Sequence, residues 1–180
     1  MSFISNIKEK FAKKILERNI KQFPRHKEFH NLSTPKSIGI LFDTRDEKKH
    51  KTIKTFQKQL KSQGHQVKSL AWVDADLLPD YGVGQQILYY CNKDLNWAGK
   101  PQLPEIEEFI QTKFDILFDF SGEAHPNLRY AANLSQAACK VGGYDEQKKH
   151  LDLMIDMGKE KSLDKLIEQS LQYLNQIKKN

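Results

Sequence analysis

Apolar and polar positions alternate along this chain in two kinds of block. Short, nearly continuous apolar runs form the first kind. They are Ser37-Ile-Gly-Ile-Leu-Phe ending in Asp43, Gln66-Val-Lys-Ser-Leu-Ala-Trp-Val ending at Asp74, Ile87-Leu-Tyr-Tyr-Cys, and Asp115-Ile-Leu-Phe-Asp-Phe. Runs of this kind suit strands covered on both faces, as in a parallel sheet. Cys139-Lys-Val-Gly-Gly-Tyr and Leu151-Asp-Leu-Met-Ile-Asp read as two more short strands.

The second kind has an apolar face at helical spacing. Ile53, Phe56 and Leu60 share one face and Gly64 follows them. A glycine just past the last periodic residue is a helix stop. Pro104 opens a helix with Ile106, Phe109 and Ile110 inward, proline being well suited to a first turn. The stretch from Pro126 to Ala138 predicts a helix with a small inner face of Leu128, Ala131, Ala132 and Ala138. Ser162 caps the last helix, whose stripe is Leu163, Leu166, Ile167, Leu171, Leu174 and Ile177.

Strands alternating with helices predict an α/β fold with an open, mostly parallel sheet, Rossmann-like and three-layered. Residues 36–180 make that domain. Residues 1–35 form a separate element, a helix ending before Pro24 and a polar connection. In the helix Ile4, Ile7, Phe11 and Ile15 recur at helical spacing with Phe3, Leu16 and Ile20 beside them, and the lysines at 10, 13, 14 and 21 fall mostly off that stripe; the apolar face either packs on its own domain, leaving the lysines in solvent, or meets a partner.

Charge changes the picture at this point. The first 36 residues hold nine bases (Lys8, Lys10, Lys13, Lys14, Arg18, Lys21, Arg25, Lys27 and Lys36) against three acids (Glu9, Glu17 and Glu28). The whole chain has a formal net charge of +6, so the remainder is formally neutral. Such asymmetry speaks about partners rather than fold. The start of the chain lacks the apolar run of a signal peptide, and no stretch approaches a membrane span, so a cytoplasmic protein is expected. Cys91 and Cys139 read as buried free thiols, and neither has ligand spacing to a second Cys or His, so no metal is expected.

Candidate chemistry lies where strands end, because ligands of open α/β sheets bind beyond the carboxyl ends of the strands. Asp43, Asp74, Asp119 and Asp156 follow apolar strand residues and could converge there; the competing reading is that each caps its own turn. His125, before Pro126, is a candidate base beside the Ser121-Gly-Glu-Ala-His loop. No G-x-G-x-x-G, Walker-type loop or G-x-S-x-G elbow is present, so standard dinucleotide, ATP and hydrolase sites are disfavoured and no cofactor is expected. Trp97, between Lys93 and Lys100, either stacks a base, anchors a protein partner or pins its loop to the core.

The set Lys36-Ser-Ile-Gly-Ile-Leu-Phe-Asp, Lys93-Asp-Leu-Asn-Trp-Ala-Gly-Lys-Pro, Phe114-Asp-Ile-Leu-Phe-Asp and Asp152-Leu-Met-Ile-Asp resembles an uncharacterised bacterial family of small basic proteins, a domain of unknown function. The resemblance covers nearly the whole chain and implies no assigned activity. Separately, Asp115-Ile-Leu-Phe-Asp119, Leu128–Ala138 and Lys140-Val-Gly-Gly, within residues 114–145, are similar to a segment in the N-terminal half of heptosyltransferase-type glycosyltransferases. That likeness implies Rossmann-like architecture. It does not imply glycosyl transfer, since the nucleotide-sugar site of those enzymes lies in a second domain for which this chain has no room.

The first functional expectation is a non-catalytic binding protein that contacts an anionic partner, RNA or a ribosomal surface, through Lys10, Lys13, Lys14 and Lys21, with Lys93, Trp97 and Lys100 as further contacts. The alternative is an enzyme or small-ligand sensor using Asp43, Asp74 and Asp119. A peripheral membrane contact through Phe3, Ile4, Ile7 and Phe11 ranks third.

Overall fold

The computed structural model describes residues 3–33, 37–44, 47–76, 87–122, 126–160 and 162–177; for 3–9 and 126 it describes the backbone alone. Six strands form one sheet: β1 (Ser37–Asp43), β2 (Gln66–Trp72), β3 (Ile87–Tyr90), β4 (Ile116–Asp119), β5 (Cys139–Gly143) and β6 (Leu153–Ile155). Their order is β3-β2-β1-β4-β5-β6 and each pairing is parallel. The winding reverses between β1 and β4, as in a doubly wound, Rossmann-like sheet.

The apolar runs are continuous because both faces of each strand are covered. Successive side chains point to opposite faces of a sheet. Accordingly Ile38, Ile40 and Phe42 of β1 pack on one side with Ile53, Phe56 and Leu60 of α2 (Glu47–Ser62) and Leu166 and Leu174 of α5 (Leu163–Gln176). Leu41 of β1 packs on the other side, with Trp72 of β2, Ile106 and Phe109 of α3 (Pro104–Gln111), and Leu128 and Ala131 of α4 (Pro126–Leu134). The helix signals act as expected. The Ser162 side chain accepts from the Lys165 amide at the start of α5, and Gly64 takes φ 88° just past α2.

Three features depart from the sequence expectations. Helix α4 stops at Leu134, not Ala138. Gln136 and Ala138 instead donate backbone bonds to Ile110 and Phe114, turning the chain into β5. The carbonyls of Ala132 and Asn133, near the helix end, accept from the buried Lys140 amine at 2.7 and 3.0 Å. Burial, aided by the charge of Arg25, pushes that amine down to about 7.

The connection after α1 (Phe3–Gln22), expected only to be polar, is fastened to the domain. Arg25 donates to the Ala137 and Ala138 carbonyls and forks onto Asp152, with both nitrogen–oxygen distances at 2.6 Å. Asn31 donates to the carbonyls of Asn175 and Ile177 beyond α5. Residues 25–31 thus tie the N-terminal element to both ends of the domain's second half.

The third departure concerns α1 itself. It rests against α4 with Leu16 directed at the α3/α4 cluster. The described members of the predicted stripe stay in solvent, Phe11 at 56% and Ile15 at 40% exposure. Leu16 lies about a third of a turn away from Phe11 and Ile15 on the helix. Of the apolar positions in the sequence pattern, Leu16 docks while Phe11 and Ile15 face solvent.

Candidate functional site

Asp43 ends β1 and Asp119 ends β4, the two strands that flank the point where the winding reverses. Both carboxylates are buried. The structure brings them to a shared loop: Asp43 accepts from the Gly122 amide at 3.0 Å, and Asp119 accepts from the Ser121 amide at 3.0 Å. Asp43 also holds the Lys49 amine from the first turns of α2.

Asp119 is the hub of a larger network. One oxygen takes the Ser121 hydroxyl and lies 3.5 Å from the Lys148 amine; the other lies 2.8 Å from His150 Nε2. Lys148 also donates to the Ser121 carbonyl at 2.7 Å and its hydroxyl at 3.0 Å. Burial alone would raise the Asp119 pKa. The His150 hydrogen bond and the Lys148 charge outweigh that and hold it down at about 2. The carboxylate stays ionised at neutral pH, so it is no general acid there. Ser121 has its hydroxyl engaged on both sides, donating to a carboxylate and accepting from an ammonium. Together these groups form a buried, hydrogen-bonded floor.

Close backbone approach sets that floor. A Cβ on Gly142 would come within 2.6 Å of the Asp119 carbonyl, so only glycine lets β5 lie this close to the end of β4. Beyond β5, Asp145 accepts from the Gln147 amide and successive turns carry Lys148 and His150 back over Asp119.

Against the floor lies an open cleft of ≈1220 Å³. Its walls come from α2 (Lys48, Lys49), the loop after β4 (Phe120 to Gly122), the loop after β5 (Tyr144 to Lys148) and the loop after β6 up to Leu166 of α5. Phe120, Ile155, Met157 and Leu163 make its apolar part; Lys48, Glu146, Asp156 and Asp164 put charge of both signs at its edge.

The other candidates fare differently. Asp74 stands exposed beyond β2 and does not join Asp43 and Asp119. Asp156 is exposed and caps its own turn by accepting from the Gly158 amide. His125 lies outside the described residues. Lys10, Lys13, Lys14 and Lys21 are exposed on α1, and Lys93 is exposed. Lys100 sits over the Tyr130 ring at 5.8 Å. Trp97 does not pin its loop: it is 62% exposed, and Leu95 and Leu103 do the anchoring. Cys91 and Cys139 are buried free thiols. Among the described residues no three His, Cys, Asp or Glu side chains group to hold a metal, and no helix is long and apolar enough to cross a membrane.

Lys49, Ser121, Lys148 and His150 were not singled out as partners of these acids by sequence reasoning. Lys148 and His150 lie 29 and 31 residues beyond Asp119, a separation no local spacing rule reaches.

No curated protein and no solved structure matches the chain. A family model does match it, over residues 8–177, nearly end to end. The chain belongs to DUF6913, a family of unknown function.

Proposed function

We propose that this is a binding protein that holds a small ligand in the cleft at the carboxyl ends of β4, β5 and β6. One observation carries the reading: the cleft opens beside the reversal point of a doubly wound sheet, on a floor where Asp43 and Asp119 are locked by Lys49, Lys148 and His150. Sites of such sheets lie there, and a preformed, partly apolar concavity with a few polar groups is the usual ligand container. The committed state of both aspartates favours binding over acid–base chemistry. Thermal unfolding in the presence of a small-molecule extract of the source cells tests this. The extract should raise the melting temperature, and Lys48→Glu, at the exposed edge of the cleft, should weaken that rise. No rise with any extract fraction sinks the reading.

A second reading concerns α1, which we take as the contact for an anionic partner, with RNA or a ribosomal surface as the expectation from sequence. Exposure of Lys10, Lys13, Lys14 and Lys21 supports it. We take the protein to be bacterial and cytoplasmic, a compartment that keeps buried free thiols such as Cys91 and Cys139 reduced. The heptosyltransferase-like stretch, residues 114–145, spans β4, α4 and β5; we read it as a likeness of architecture without glycosyl transfer.

A further inference from the structure

We infer that α1 is a peripheral docking helix for an anionic lipid surface. The inference rests on the reading of α1 as the contact for an anionic partner, and it names that partner. Helix α1 offers two features together. Phe11 and Ile15, one turn apart, form an apolar strip left in solvent although Leu16 beside them is docked. By helical spacing Lys10, Lys14, Arg18 and Lys21 border that strip on the side away from Leu16, and all four are exposed. The sequence continues the strip toward the N-terminus with Ile4 and Ile7.

An apolar strip flanked by lysines is the pattern of a helix lying in a bilayer interface, rings and aliphatic groups among the acyl chains and ammonium groups at the phosphates. The positive charge selects among possible covers. A second copy of α1 would bring like charges together, with Glu9 and Glu17 the only acids in the helix to offset them. RNA would meet the lysines but leave Ile15 in water. The loop bearing the exposed Trp97 anchors through Leu95 in the same cluster that receives Leu16, so that loop lies on the same side of the sheet as α1. Indoles suit the membrane–water boundary.

The test is flotation of the full-length protein with vesicles of phosphatidylcholine alone or mixed with phosphatidylglycerol, at low and high salt. Wild type should float with the mixed vesicles at least about tenfold better than with the neutral ones, and less so in high salt. Phe11→Ser/Ile15→Ser should abolish flotation, as should Lys10→Glu/Lys14→Glu/Lys21→Glu. These positions are exposed, and an unchanged melting temperature confirms that the variants fold. Binding of total RNA is measured in parallel. RNA binding without vesicle binding, or vesicle binding that survives the Phe11/Ile15 change, overturns the lipid assignment and leaves the anionic-partner reading intact. Binding to neither overturns both.

Discussion

Asp119 is a carboxylate with a buried ammonium and an imidazole for company, and its substitution should be felt throughout the site. Removing one member of a buried pair strands the other, which costs about 3–5 kcal/mol. Asp119→Asn should lower stability to urea by roughly that amount. The pH dependence has a definite sign. The folded carboxyl titrates at about 2, below its ordinary 3.8. Its contribution is therefore full above that ordinary value and is lost as the pH falls through the folded one. Acid titration of wild type and variant should converge toward the acid end; parallel curves would mean that Asp119 is not the charged hub described. Sequence made Asp43 and Asp119 visible as acids ending apolar runs. It did not make their partners visible: Lys148 and His150 meet Asp119 only through the sheet order and the loop that Gly142 brings close, and Lys49 meets Asp43 only once α2 folds back from the end of β1.

At the scale of elements, helix starts were more legible than helix ends. Ser162 and Pro104 act through their own backbone neighbours, so local sequence suffices. The end of α4 depends on strands. Alanines continue the helical pattern to Ala138, but Phe114 and Ile110 claim the backbone donors beyond Leu134, and Lys140 reaches back to the last carbonyls. That lysine carries a prediction. Its amine titrates at about 7 in the folded protein against 10.5 ordinarily. Between those values the unfolded chain holds more protons, so stability should rise with pH across that window. Lys140→Met should flatten the rise between pH values of about 7 and about 9 in urea unfolding. An identical slope in the variant would show that some other group titrates. The helix α1 is legible as an element, but periodicity alone does not say which of its apolar residues docks; in the fold Leu16 does.

For the whole molecule, the two-sided core predicts unequal stability. Strands β1 and β4 are central and covered on both faces, whereas among the described side chains of α1 Leu16 is the apolar one packed against the core. Elements with few buried apolar contacts open locally at low free energy. Hydrogen exchange followed by mass spectrometry should find α1 exchanging long before β1 and β4, with residues 25–31 slower than α1 because Arg25 and Asn31 fasten them. Protection of α1 equal to that of β1 would mean a tighter dock than Leu16 supplies. A loosely held helix suits a surface that trades its dock for a partner.

The pattern of residues by itself determined the α/β class, the identity of the strands and the concentration of the net positive charge in the first 36 residues. These follow from side-chain periodicity and charge, which are local properties of the chain. Only the tertiary structure decided that Asp43 and Asp119 engage one loop while Asp74 is exposed, that a cleft opens over the ends of β4 to β6, and that Phe11 and Ile15 of α1 face solvent. Each depends on which strands become neighbours and how closely their backbones approach. That choice is made by packing between residues distant in sequence, which periodicity does not encode.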